Sequence, residues 1–585
     1  MKRLGKILAL ILALPLALPG SFQTLDRTPI CEIQGSGFTA NHLGETVRVR
    51  GIVFADLDQT GQKGLFIQEP NCDTRSYTSD GIYIYLGERV NVAAPGDQVD
   101  VTGVVQEYYG MTEIVAAPQN VFILSHANPL PTALDLNPPL DNNSASYYFE
   151  NREAMRVRLD AGLVVGPTDS DERAWLVRTD LGIERVVYGD PGGTGEVICV
   201  GDTGLYPIAP DVKVGDRVTG LIGALQYRFG AYCLALTAAP QVQAALITPP
   251  PVPGPAMGLR IATLNLQNLF DTSDDPATED TVLSPTEYLR RLEKRARAIH
   301  DALGEPAILA VQEAENLNVL AALVDRPEIQ ADYRVLLVEG PDIRGIDIAL
   351  LYQIDRVQVY EYRAHQGCTA LVDGLGPDGN GDVYNPQNSL TCDRDGDGIL
   401  DGNRLFSRPP LAARLRLTLP GAVTWNNLWV IANHWKSKVE DGYTVQYTLP
   451  RRLEQAEFVA ALAQEIIRTD PETSLIVLGD LNDHPDSLPV QEMLSQGLKN
   501  PIQSLPRTWQ YTYIYNGISQ SLDYILTSMH PPLYSLQIQP VRINADYPAS
   551  LEQETASFYR SSDHDPLWIE IVAFPPQVFL PMLSR

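Results

Sequence analysis

From residue 259 onward, nearly every short apolar run in this sequence stops at, or follows directly from, a knot of polar side chains. Leu475 to Leu478 is continuously apolar, as a strand covered on both faces must be, and ends at Gly479, followed by Asp480, Asn482 and Asp483. Leu259 to Leu264 leads into Asn265, Ile308 to Val311 into Gln312-Glu313, and Leu428 to Ala432 into Asn433-His434-Trp435-Lys436-Ser437-Lys438. Leu522 to Leu526 carries Asp523, and Asp563-His564-Asp565 sits just ahead of Leu567 to Phe574. Loops at strand ends are where α/β sheets gather ligands. The pattern predicts one rim of a mixed sheet, with the last strand antiparallel to the others.

A chain of 585 residues exceeds a single core, so several domains are expected. Lys2, Arg3 and Lys6, an apolar run from Ile7 to Leu18, then Gly20 and Ser21 read as a secretory signal peptide over 1–21. No later stretch is apolar enough for a membrane helix. The expectation is therefore a secreted or cell-surface protein without stable membrane insertion, and no protein partner is predicted. The six cysteines fall as three neighbouring pairs, which in an oxidising compartment predicts Cys31–Cys72, Cys199–Cys233 and Cys368–Cys392. A net charge of −28 argues against simple electrostatic capture of a polyanion. Any nucleic-acid substrate must then be held by metal ions and a few local cations.

Residues 22–127 read as short alternating strands divided by Gly, Asn and Pro turns, the pattern of an antiparallel β domain. Residues 152–247 repeat it: Pro95-Gly96-Asp97-Gln98-Val99 echoes Val214-Gly215-Asp216-Arg217-Val218. Tandem small barrels of the oligonucleotide/oligosaccharide-binding (OB) type would explain the echo. The Pro/Asn-rich stretch 128–151 reads as a linker, and the proline-rich 248–258 as a second, stiff one.

The domain predicted over 259–574 opens its first helix with Ser284-Pro285-Thr286-Glu287, a capping box with proline at the first helical position. Leu289, Leu292, Ala296, Ile299 and Leu303 are its expected buried stripe. An Asp/Gly-rich insertion covers 366–407. Within it Asp393, Asp395, Asp397 and Asp401, with Gly398 as the turn, match the first half of a calcium loop and predict a structural Ca2+ site. The tail 575–585 is open to reading as a stray strand or a sorting signal.

Set on one rim, these side chains form the equipment for metal-assisted attack of water on a phosphate ester. Glu313 and Asp563 are the expected ligands of a Mg2+-like (or Mn2+) cation. Asp480 would orient the water and Asn482 would hydrogen-bond a phosphate oxygen, with Asn265 on the same rim. His564, oriented by Asp523, is the expected base, and His434 the group that protonates or stabilises the leaving oxygen.

Asn265-x-x-Asn268-Leu-Phe, Val311-Gln-Glu313-x-Glu-Asn316, Asn433-His434-x-Lys436-Ser-Lys438, Gly479-Asp480-Leu-Asn482-Asp483, Leu522-Asp523-Tyr-Ile and Ser562-Asp563-His564-Asp565-Pro566 together resemble the endonuclease/exonuclease/phosphatase superfamily, in that family's order. The chain is most similar to its secreted bacterial nuclease branch of the ExeM type, which it also resembles in Arg408-Pro-Pro-Leu and in placing OB-like domains first. The resemblance implies a deoxyribonuclease I-like four-layer α/β/β/α sandwich and divalent-metal-dependent phosphodiester hydrolysis. It adds Arg408, Lys436 and Lys438 as phosphate contacts. The resulting expectation is a metal-dependent nuclease, foremost a DNA endonuclease of low sequence specificity. A phosphomonoesterase or phospholipase C-like enzyme of the same fold is the alternative; a calcium-loaded surface-binding protein without turnover is the alternative of another class.

Overall fold

The computed structural model describes residues 25–201, 204–246, 258–370, 391–419, 423–439, 441, 446–528 and 534–573. The expected signal peptide, most of the proline-rich linker, residues 371–390 of the Asp/Gly-rich insertion and the C-terminal tail lie outside the described residues. The chain divides into two compact units, Met1–Thr132 with Glu150–Arg156, and Ala133–Phe149 with Val157–Arg585.

In the first unit the strands Thr46–Asp56, Gly64–Gln68, Gly81–Tyr85, Gln98–Tyr108 and Met111–Val115 close on themselves. The first pairs with both the second and the fourth, and the third runs parallel to the fifth. Period-two alternation puts Val47, Val49 and Val53 of one strand and Val99 and Val101 of another into the same core. Cys31 and Cys72 form a disulfide.

Within the second unit, Arg156–Gly166, Arg173–Arg178, Ile198–Gly201, Arg217–Arg228 and Ala231–Leu236 repeat that order, again with the third strand parallel to the fifth. The sequence echo has a hydrogen-bonding cause. The Gly96 N–H donates to the Val53 carbonyl (2.8 Å), the Val53 N–H donates to the Asp97 carbonyl (2.9 Å), and the Asp97 carboxylate accepts the Ala94 N–H at 3.0 Å. Gly215, Val164, Asp216 and Lys213 make the same three bonds at 2.9, 2.9 and 3.0 Å. Both glycines have positive φ, 93° and 91°. The stretch 128–151 is not a plain linker: Leu134–Asp135 joins the sheet beside Val157 and Arg158, and Asn142–Glu150 is a helix. Phe149 of that helix stacks on Tyr232 at 5.6 Å, an apolar anchor hidden in a polar-looking sequence. Cys199 and Cys233 pair across the parallel strands.

The rest of the second unit contains, in chain order, β1 (Leu259–Leu269), α1 (Pro285–Arg297), β2 (Ile308–Ala314), α2 (Leu317–Val324), β3 (Tyr333–Leu337), β4 (Asp347–Gln353), β5 (Val357–Ala364), β6 (Leu411–Leu419), β7 (Val423–His434), α3 (Leu449–Thr469), β8 (Ser474–Asp480), α4 (Leu488–Ser495), β9 (Asp523–Ser528), β10 (Tyr534–Pro540) and β11 (Leu567–Ala573). The main strands form two sheets, β3-β4-β2-β1-β11-β10 and β5-β6-β7-β8-β9, where the pattern of strand ends by itself suggested one mixed sheet and the family resemblance two. The last strand, β11, is antiparallel to β1 as predicted, but β9 also runs antiparallel to β8, so Asp523 begins its strand.

Apolar runs in the central strands follow from burial on both faces. Ile308 and Ala310 of β2 meet Ile476 and Leu478 of β8 in a core shared by the sheets. The alternate residues Leu309 and Val311 pack under α1 and α2, and Leu475 and Val477 pack under α3 and α4. Ser284 caps α1 by accepting the Glu287 N–H at 3.2 Å. Leu289 is exposed, against expectation, and the buried stripe runs Leu292, Ala296, Ile299 and Leu303. A wider turn over Ala298–Ala302 carries that stripe past the end of α1.

The second barrel is hydrogen-bonded to the two-sheet domain. Val186–Val187 pairs in parallel with Ile518–Ser519, in the hairpin that includes Tyr513–Tyr515. Arg185 donates to Asp546 at 3.0 Å and lies over the Tyr511 ring at 4.1 Å. A Cβ on Gly166 would stand 2.7 Å from the Gly517 Cα, so the close approach of the two backbones requires glycine at 166.

Candidate active site

The ends of β1, β2, β7, β8 and β9 and the loop before β11 converge, so the rim predicted for one sheet is built from both. Asn265, at the turn of β1, bridges them: its Nδ2 donates to Glu313 Oε1 of β2 and to Asp480 Oδ2 of β8, each at 3.2 Å. Its Oδ1 accepts the Gln267 N–H at 2.8 Å, and Glu313 Oε2 accepts the Asn268 N–H at 2.8 Å. Gln267, Asn268, Glu313 and Asn482 all hold positive φ (52°, 48°, 62° and 50°). Four non-glycine residues in this region of backbone space mark a site whose surroundings impose its geometry.

The His434 imidazole reaches the same carboxylates, with Nε2 3.7 Å from both Glu313 Oε1 and Asp480 Oδ2. Its Nδ1 is buried without a hydrogen-bond partner among the described residues. Burial, with the Arg408 and Arg344 charges adding, pushes the ring well below the usual histidine range, so His434 is neutral. His564 is its opposite. Its Nδ1 lies 2.7 Å from Asp523 Oδ2; burial disfavours the charge, but Asp523, Asp563 and Asp480 outweigh it and push the ring well above the usual range. These charges favour the protonated ring in the free protein, with Nδ1 turned to Asp523.

Asp480 is fully buried, and burial first, then the Asp523 and Glu313 charges, push its carboxyl up to about 7 against the pull of His564 and the Asn482 N–H. Such a carboxylate is matched to exchanging a proton near neutral pH. Ligand atoms of Asp480, Asp523 and His564 lie within 4.8 Å of one another. Glu313 is hydrogen-bonded to the same asparagine as Asp480, and the carboxylate oxygens gathered here suit a hard divalent cation beside the two histidines. Asp563 faces an adjoining cleft of about 350 Å³.

Arg408 corrects an expectation. It is 4% exposed; Nη1 donates to Asp342 Oδ2 at 2.9 Å and Nη2 to the Trp435 carbonyl at 2.8 Å. Its guanidinium holds the loop after β7 in place rather than facing a phosphate. Lys438 is likewise turned into the protein, 3.0 Å from His484 Nε2, and burial lowers its ammonium to about 8. Lys436 is buried, and its N–H donates to Gln455 Oε1 at 3.0 Å. Asn482 Nδ2 donates to the Trp435 carbonyl at 3.1 Å, so that side chain too is partly spent on the loop.

Several contributors carried no sequence signal. Thr512 Oγ1 accepts the Asp523 N–H at 3.2 Å, the Tyr513 ring packs 4.7 Å from that of His564, and the buried Arg295 donates to the Leu266 carbonyl at 2.8 Å, fixing the turn that bears Asn265. Only the placement of Thr512 two residues from an aromatic β-hairpin hints at any of this. Away from the rim, Asp393, Asp395 and Asp397 do converge within 4.8 Å. Asp401 does not join them, because Arg394 takes its carboxylate at 3.0 and 3.2 Å. The Cys368–Cys392 disulfide ties this loop to the domain.

Residues 260–373 and 404–529 match the model of the Endonuclease/Exonuclease/phosphatase family, a span that holds Asn265, Glu313, His434, Asp480 and Asp523. The match points to a hydrolase of phosphoester bonds. Residues 118–245, which include most of the second barrel, match a domain of unknown function. No curated protein matches the sequence. Among solved structures, a functionally unknown conserved protein from Enterococcus faecalis V583 is 16% identical, over 54% of this chain and 100% of that one, with a TM-score of 0.33. The endonuclease/exonuclease/phosphatase from Bacteroides vulgatus is 14% identical over 54% and 99%, TM-score 0.33, and the human Nocturnin catalytic domain with bound sulfate anion is 16% identical over 54% and 95%, TM-score 0.33.

Proposed function

We propose that this chain is a secreted, divalent-metal-dependent phosphodiesterase, a nuclease acting foremost on DNA as an endonuclease of low sequence specificity. One observation carries the reading. Two histidines, His434 and His564, flank the buried carboxylate of Asp480: His434 Nε2 is 3.7 Å from it, a ligand atom of His564 is within 4.8 Å, and their surroundings favour a neutral ring at His434 and a protonated one at His564. That is an acid–base set spanning one reacting centre. We read the two sheets with their outer helices as the α/β/β/α sandwich of the family, and the two closed barrels as OB-like.

Each residue then has a task. Glu313 and Asp563 are the proposed cation ligands; a bound Mg2+ or Mn2+ supplies charge neutralisation for the phosphate oxygens and the departing oxygen. The His564 imidazolium, held by Asp523, donates to a non-bridging phosphate oxygen. Asp480, as carboxylate, accepts a proton from the attacking water, and Asn265 fixes its orientation through the 3.2 Å bond. Neutral His434 hydrogen-bonds on the side bounded by Glu313. Asp393, Asp395 and Asp397 are proposed to hold a structural Ca2+.

The test is incubation of the purified protein with plasmid, RNA, a nucleotide monoester and sphingomyelin, each with Mg2+ and with chelator. Plasmid cleavage that requires Mg2+ is expected. Intact plasmid alongside hydrolysis of another substrate rejects the nuclease reading.

A further inference from the structure

The second barrel walls the candidate active site. The cleft of about 350 Å³ beside Asp563 has Ser170, Arg173 and Trp175 of the barrel on one side and Tyr515 and Arg560 of the two-sheet domain on the other. The walls are fixed to each other by the Val186–Ile518 strand pairing and the Arg185–Asp546 ion pair. A cleft of this size falls in the range of small-ligand pockets and suits a group as large as one nucleotide.

Three carboxylates line the cleft: Asp169 pairs with Arg173 at 3.0 Å and Glu552 with Arg560 at 3.5 Å, and Asp563, at the end toward the reacting groups, is the proposed cation ligand. Past Gln267, Glu552 and Arg560 the cleft adjoins a narrow hollow of about 10 Å³ edged by the half-buried Arg290 and Arg291; the buried Lys294 and Arg295 beneath it are held by the Glu554 and Leu266 carbonyls. Tyr515 is 57% exposed at the cleft, a free aromatic face of the kind on which nucleobases stack.

Resting on the nuclease reading, we propose that this cleft binds the nucleotide next to the scissile phosphate, with the strand continuing toward Arg290 and Arg291 at the surface of α1. The barrel is then part of the substrate site. It selects for a polynucleotide strand over a small phosphodiester, and Ser170 and Tyr515 set that selectivity.

The experiment compares kcat/KM for a 12-nucleotide single-stranded DNA with kcat/KM for bis(4-nitrophenyl) phosphate, in Mg2+, for the full chain and for Ser170→Glu, Ser170→Arg and Tyr515→Ala. Ser170 and Tyr515 are exposed, so the substitutions leave the core intact. The oligonucleotide-to-diester ratio should fall about tenfold in Ser170→Glu and Tyr515→Ala, the scale of one lost base stack or phosphate contact. It should rise in Ser170→Arg, with a steeper loss on adding salt. Ratios within about twofold of the parent in all three variants overturn the inference alone. A parent that hydrolyses the diester but leaves the oligonucleotide intact overturns the nuclease reading and this inference with it.

Discussion

The imidazole of His564 and the carboxylate of Asp523 meet at 2.7 Å although the residues lie 41 positions apart, and both are buried. Because burial alone would neutralise the ring, Asp523 is what keeps it charged. Asp523→Asn should therefore lower kcat by about two to four orders of magnitude, the range seen when the partner of a working histidine loses its charge. The sign of the pH effect follows. Removing the anion lowers the His564 pKa, so the protonated form is lost at lower pH and the alkaline limb of the kcat/KM profile moves down. An unmoved limb would show that His564 does not act as imidazolium.

Glu313 touches Asn265, the Asn268 N–H and, at 3.7 Å, His434. If it holds the cation, Glu313→Gln keeps these contacts in outline but removes a charged ligand. The Mg2+ concentration for half-maximal plasmid cleavage should rise by tenfold or more. Chelator should abolish cleavage by the parent, and added Mg2+ should restore it. A Glu313→Gln protein with the parent's Mg2+ dependence would move the metal site elsewhere.

Asp480 and Glu313 were legible because a strand buried on both faces writes itself as an unbroken apolar run, and its end is therefore visible. Asp523 and His564 were legible individually. Two things were not. Nothing in a list of strands says which strands pair, so two sheets sharing Ile308 and Ile476 in one core look in sequence like one. Charge on a side chain does not state its direction: Arg408 and Lys438 were expected to face a phosphate, and both are absorbed by the fold. Phe149 shows the same limit at the barrel, since one stacking contact with Tyr232 organised a stretch whose composition suggested only a linker.

Arg408 gives a test that separates positioning from phosphate binding. Arg408→Gln removes the nearer of the two cations beside Asp342, 3% exposed, leaving Arg344 at 3.4 Å, and frees the Trp435 carbonyl. Breaking a buried pair from one side costs about 3–5 kcal/mol when the remaining charge is left alone; with Arg344 still beside Asp342 the cost is smaller, and a drop in Tm is expected. Turnover should fall mainly in kcat, through a displaced His434 loop, with KM little changed. A rise in KM at unchanged Tm would return Arg408 to the phosphate.

Glu315 predicts a pH dependence away from the reacting groups. Burial, the largest cause, raises its carboxyl to about 7, against the 2.5 Å bond its Oε2 accepts from the Asp271 N–H, while Asp271, Asp280 and Asp275 add to the rise. The folded chain thus binds a proton more tightly than the unfolded one, whose value is about 4.3. Stability from this group is full below that value and is lost as pH rises toward 7, since the slope is set by protons bound in the unfolded minus the folded state. Glu315→Gln keeps an oxygen for the Asp271 N–H and cannot ionise. Its Tm should match that of the parent near pH 4 and exceed it at pH 8, with a ceiling of about 4 kcal/mol from one pKa unit being about 1.4 kcal/mol. Thermal melts of both proteins across that range decide it: parallel Tm curves would mean that Glu315 is already ionised in the fold.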